Sequence, residues 1–247
     1  MTTPENLLRE LGITSPNEID VEVIAWHCGL EVQYKELRSC DARIVGAGDR
    51  GVLSVDINKS PERKRFSVAH EIGHWQLHRG QIMMCRADEI DVGKKSNSAH
   101  ERDADAFAAA LLMPAYLFEP AASLVSKKEP WTQVAELSSI FKTSILATAL
   151  RLISLGIWPG WLLSHGKQGR RWFRVAHTSP IDAFPRQDLD ARSSAFNMVF
   201  GAAQSASPKV LPGDAWFDSS SFARKQVLEH ARRYGSDEVL AFVRFHN

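Results

Sequence analysis

Cysteine is scarce: Cys28, Cys40 and Cys85 are three in 247 residues, an odd number with no regular spacing, which does not suggest a disulfide framework. No two of them stand in the Cys-x-x-Cys spacing of a zinc ribbon, and reduced thiols are expected. Surplus charge of one sign is missing too. Thirty Lys and Arg balance 29 Asp and Glu to a formal charge of +1, so no global field draws the chain to nucleic acid or to an anionic membrane. Long apolar runs are absent: the longest near-apolar stretch, Ala106 to Pro114, falls far short of the roughly 20 residues a bilayer span requires. The opening Met1-Thr2-Thr3-Pro4-Glu5 has no basic segment followed by an apolar one. Together these absences predict a soluble cytoplasmic protein with no membrane partner. What is present is a 44% hydrophobic chain, long enough for one large domain or two smaller ones, without repeats or low-complexity tracts.

Local signals divide the first half cleanly. Thr3-Pro4-Glu5 starts a helix whose apolar stripe is Leu7, Leu8 and Leu11, and Gly12 stops it. A second short helix is expected from about Asp20 to Cys28. Short strands follow at Glu31 to Lys35, Ala42 to Val45 and Gly51 to Asp56, with Gly46, Gly48 and Gly51 marking a turn. Ser60-Pro61-Glu62 combines an N-cap, a first-turn proline and a first-turn acid, so a helix should run from there towards Gly80. Arg86 to Asn97 reads as loop, and another long helix is expected from Ser98 until Pro114. Trp131 to Gly156 reads as two helices joined at Lys142-Thr143-Ser144. Beyond Pro159, a hairpin around Gly166 and Gly169 and a helix from Ser219 to Tyr234 are expected, giving a small α+β unit.

The chemistry concentrates in His70-Glu71-Ile72-Gly73-His74. Two histidines four apart share one helical face and can reach a single ion, zinc being the expected metal at one Zn2+ per chain. Val68, Ile72 and Trp75 form the opposite stripe, which should bury against the sheet. Glu71 lies about 100° round from His70, in the position of a general base reaching a water at the metal. Gly73 costs roughly 1 kcal/mol relative to Ala, which implies room for a strand, a helix or substrate. A catalytic zinc needs three protein ligands and an open position. On the later helix Glu101, Asp105, Ala108 and Leu112 share a face, so Glu101 is the expected third ligand and Asp103 a solvated carboxylate. Asp105 should accept from the non-ligating ring nitrogen of His70 or His74. His78 and His100 are read as packed or solvated, and Cys85 as an inert thiol. On this reading zinc brings the pKa of a water towards about 7, and Glu71 takes its proton and passes it to the leaving amine.

With His70-Glu71-Ile72-Gly73-His74-Trp75-Gln76-Leu77-His78 and Glu101-x-x-Ala104-Asp105-x-Phe107-Ala108-Ala109-x-Leu111-Leu112-Met113-Pro114, the chain resembles the ImmA/IrrE metallopeptidases. Asp20 to Ala25, Gly29 to Val32 and Arg65 to Ala69 extend the resemblance to about half the chain. It implies a bacterial or phage-element protein with a thermolysin-like active site, Glu101 as third ligand, and relatives that cleave a repressor and induce the genes it silenced. Relatives often carry Asn where Asp105 stands; a carboxylate there holds a histidine N–H more strongly.

The expected fold is α+β: a zincin-like metallopeptidase domain over residues 1–118, a helix-turn-helix-like segment over 119–159, and a C-terminal α+β region over 160–247. The expected activity is zinc-dependent hydrolysis of a peptide bond in a protein substrate, a helix-turn-helix repressor. The rival is a DNA- or protein-binding regulator, or a toxin–antitoxin partner, with a structural zinc. DNA binding is not favoured, because Lys142 and Arg151 alone near the turn make a poor phosphate footprint and Arg170-Arg171-Trp172-Phe173-Arg174 reads equally well as alternating strand faces. Oligomeric state is left open.

Overall fold

The computed structural model describes residues 3–38, 40–78, 99–179, 183–201, 203, 206–218 and 222–246. Cys85, the polar stretch 86–97 and the start expected at Ser98 lie outside the described residues. The chain is mixed α and β and forms two compact units, one of residues 1–125 and 135–148, the other of 126–134 and 149–247. Among the described residues no single helix is long and apolar enough to cross a membrane.

In the first unit, α1 (Pro4–Glu10) starts where Thr3 accepts from Asn6 N–H, and α2 (Val21–His27) where Asp20 accepts from Glu22 and Val23 N–H. Strands β1 (Leu30–Lys35), β2 (Ala42–Ala47) and β3 (Arg50–Asp56) form a sheet of order β1-β3-β2, with β1 parallel and β2 antiparallel to β3. Helix α3 (Pro61–Leu77) follows, its first turn capped by the Ser60 hydroxyl. Then come α4 (Ala99–Leu112) and α5 (Ala115–Val125), followed by α6 (Pro130–Phe141) and α7 (Ile145–Ser154), each of which has residues in both units. The last two turn through 106° at residues 142–144, where Lys142 takes φ 53° and Ser144 caps α7 through Ala147 N–H.

Two contacts fix α3 on the sheet. Val68, Ile72 and Trp75 are buried in one core with Leu30, Leu53 and Val55. The Trp75 indole fills a notch left by glycine: a Cβ on Gly46 would stand 2.6 Å from its ring, and Nε1 donates to the Cys28 carbonyl at 2.9 Å. At the other end buried Asp41 accepts from Arg63 Nε at 2.7 Å and pairs with Lys59 Nζ at 2.9 Å. Burial raises the Asp41 pKa, but the hydrogen bonds from Lys59 and Arg63 outweigh it and hold the carboxyl below its ordinary value. The helix is thus held at both ends with its histidine side facing away from the sheet.

The second unit is a five-stranded antiparallel sheet of order β5-β4-β8-β7-β6, built from β4 (Trp161–Gly166), β5 (Gly169–Val175), β6 (Lys209–Pro212), β7 (Gln226–Tyr234) and β8 (Glu238–His246). The expected hairpin around Gly166 and Gly169 is β4–β5. Helix α8 (Ser194–Phe200) packs on one face over Trp161, Leu163, Val227, Ala231 and Ala241. The helix expected over 219–234 is a correction: Gln226 to Tyr234 is a central strand. Its Ala, Arg, Gln, Leu and Glu residues favour helix locally, but main-chain pairing to β6 on one side and β8 on the other overrides that weak preference.

Candidate metal centre

Helix α4 packs directly along α3, and the contact is close because Gly73 has no side chain. A Cβ there would meet Ala104 Cα and Phe107 Cβ at 3.1 Å and the Ala104 carbonyl at 3.2 Å, so the space left by Gly73 is taken by a helix. This approach brings Glu101, in the first turn of α4, up to the histidines of α3. His70, Glu71, His74 and Glu101 are all buried.

Potential ligand atoms of three residues converge. His70 Nε2 lies 3.0 Å from His74 Nε2 and 3.2 Å from Glu101 Oε2, while His74 Nε2 lies 3.2 Å from Glu101 Oε1. Ligand atoms at the corners of a tetrahedron with metal bonds of about 2.0–2.1 Å stand roughly 3.3 Å apart, so this triangle has the size a small divalent cation requires. Two bare ring nitrogens 3.0 Å apart repel unless a proton or a cation lies between them. His70, His74 and Glu101 therefore form a group that can hold a metal ion.

The electrostatics favour positive charge at this point. Burial disfavours charge on His70, yet hydrogen bonds to Asp105 and Glu101 and the nearby Glu71 outweigh it and lift its pKa to about 9. Burial likewise raises Glu101, but hydrogen bonds from His70 and His74 hold its carboxyl far below the usual carboxylate range. The groups that attract a proton to His70 in the metal-free chain would attract a cation in its place.

Behind the triangle, Asp105 Oδ1 stands 2.9 Å from His70 Nδ1, so of the two histidines weighed for it, it meets His70. With a cation at the site, a hydrogen on Nδ1 donated to Asp105 would leave the His70 Nε2 lone pair free to bind it. Glu71 is buried on the same helix as the histidines. Asp103 is largely exposed, 3.9 Å from His78 Nε2. Reading the sequence missed the environment of His78: its Nδ1 lies 3.3 Å from His74 Nδ1, and its ring packs 4.3 Å from that of His100. The signal was the continued spacing of four from His70 to His74 to His78.

Residues 25–152 match the family model described as IrrE N-terminal-like domain, Peptidase M78. No curated protein matches the chain significantly. A solved structure described as a Mycobacterium tuberculosis transcriptional regulator is similar to it, with a TM-score of 0.64 and 15% identity over 98% of this chain and 86% of that one, a likeness of fold. With just over half its length matched and a group of potential metal ligands inside the matched region, the chain belongs to the ImmA/IrrE family, Peptidase M78.

Proposed function

We propose that the chain is a zinc endopeptidase, one Zn2+ held by His70, His74 and Glu101, that cleaves a helix-turn-helix repressor in the cytoplasm and so induces the genes it silenced. The observation that carries this reading is the buried triangle of two imidazoles and a carboxylate with Glu71 on the same helix. Zinc bound there supplies Lewis-acid chemistry, polarising a peptide carbonyl and bringing the acidity of water into the neutral range. Glu71 takes a proton from the attacking water. As the new C–O bond displaces the C–N bond, Glu71 hands that proton to the leaving amine. Asp105 holds the tautomer of His70, and Glu101 stays ionised throughout the physiological range.

We assign residues 1–118 to a zincin-like catalytic domain, 119–159 to a helix-turn-helix-like segment and 160–247 to a C-terminal α+β region. The 106° turn between α6 and α7 suits a helix-turn-helix pair. A groove-reading helix, however, must present its side chains to the bases, whereas Ser154 is the one exposed residue of α7, the others being buried or half-buried. A protein partner fits better than DNA.

The test is incubation of the metal-loaded chain with the repressor encoded beside its gene. Discrete fragments are expected, and Glu71→Gln should slow their formation by roughly 10²–10⁴ or more. Intact repressor after incubation with metal-loaded wild type would sink the proposal.

A further inference from the structure

For each histidine to offer a bare Nε2 to a cation shared with Glu101, its Nδ1 must carry the hydrogen, and a buried N–H needs an acceptor. Behind His70 the acceptor is the Asp105 carboxylate. Behind His74 it is a third imidazole. His78 caps the C-terminus of α3, where its backbone N–H donates to the His74 carbonyl at 2.8 Å, so the two residues are tied through main chain as well as side chain. Its side chain is 8% exposed, its ring centroid lies 5.4 Å from that of His74, and Nδ1 faces Nδ1 at 3.3 Å.

Two facing ring nitrogens form a hydrogen bond only when one carries hydrogen and the other a lone pair. With a cation at the site His74 has no choice in the matter, because its Nε2, which stands beside His70 Nε2 and Glu101 Oε1, must offer its lone pair to the shared ion. We infer, building on the metallopeptidase reading, that His78 is the positioning residue of His74: its Nδ1 accepts the Nδ1–H of His74, sets that ring's tautomer and aims Nε2 at the metal. The hydrogen of His78 then sits on its own Nε2. Asp103 Oδ2, at 3.9 Å, is too distant to bond it directly. The His100 ring, 4.3 Å away, packs against His78 and keeps it in place. The two histidines of the centre are thus oriented by partners of different kinds, one a carboxylate and one a neutral ring.

Asn is the variant that separates positioning from packing, since its side-chain oxygen occupies nearly the place of the histidine Nδ1 and accepts a hydrogen bond there. Wild type, His78→Ala and His78→Asn would be titrated with Co2+ against a competing chelator, following the visible absorption of the bound ion, and melted in metal-free form. His78→Ala should bind Co2+ roughly 10- to 100-fold more weakly. His78→Asn should recover most of that loss, while the two metal-free variants melt alike. Wild-type affinity in His78→Ala, or a His78→Asn as weak as His78→Ala, overturns the positioning role and leaves the metallopeptidase reading standing. Failure of wild type to bind either Co2+ or Zn2+ overturns both.

Discussion

Glu101 in the first unit and Glu229 in the second are both buried carboxylates, and their surroundings give them opposite characters. Glu229 accepts from the backbone N–H of Ser194 at 3.2 Å and of Ala195 at 2.8 Å, and from Trp216 Nε1 at 3.4 Å. Its lone pairs serve as a fastening between β7 and the first turn of α8, and burial pushes its pKa up despite those donors. Glu101 faces two imidazole nitrogens that also face each other, and the histidines hold its pKa down against burial. A buried carboxylate surrounded by fixed N–H donors completes a fold. One sharing a point with two other potential ligands leaves a place for a cation.

Substitution at the two positions is the strongest way to break this comparison. Glu101→Ala should abolish stoichiometric metal binding. Glu229→Ala should leave it intact and cost about 1–3 kcal/mol of stability by stranding the N–H groups of Ser194 and Ala195. Metal titration and denaturant melts on both variants check this, and an exchange of the two outcomes would refute it.

A buried base in the second unit sharpens the contrast with His70. Burial pushes His165 down to about 4, partly offset by the Arg186 backbone carbonyl, whereas His70 is lifted. Between pH 6.5 and 4 the unfolded chain takes up a proton at this residue that the folded chain refuses. The contribution of His165 is therefore complete above pH 6.5 and is lost as pH falls towards 4, by an amount on the order of 3 kcal/mol. Equilibrium unfolding across this range should show a shallower acid loss for His165→Gln than for wild type. Parallel pH profiles would remove His165 from the acid response.

The smallest expected effect is at the contact between α3 and α4. Gly73→Ala improves intrinsic helix propensity by about 1 kcal/mol, yet its methyl would press on Ala104 and Phe107, so a net loss of about 1 kcal/mol and weaker metal binding are expected. A stabilised variant with unchanged metal affinity would show that the helices separate freely.

Much of the first unit was legible because its signals are local. Ser60-Pro61 starts α3, Asp20 caps α2, and the spacing from His70 to His74 and from Glu101 to Asp105 puts each pair on one helical face. Close approach to α3 was foreshadowed by Gly73, but whether a helix, a strand or substrate would use the space there depends on tertiary packing. His78 was passed over because its importance lies in the nitrogen it faces, which spacing alone does not reveal. In β7 the residues Ala231, Arg232 and Arg233 favour helix in isolation, and only the neighbouring strands make the segment extended. Asp41, 22 residues before Arg63, anchors α3 through a pairing with no sequence motif.

The most direct test of the zinc-peptidase reading is the metal content of purified wild type, His74→Ala and Glu71→Gln by elemental analysis after exposure to zinc. One zinc per chain in wild type and Glu71→Gln, with none retained by His74→Ala, is the predicted result. Wild type that retains no zinc, or His74→Ala that retains as much as wild type, would contradict it.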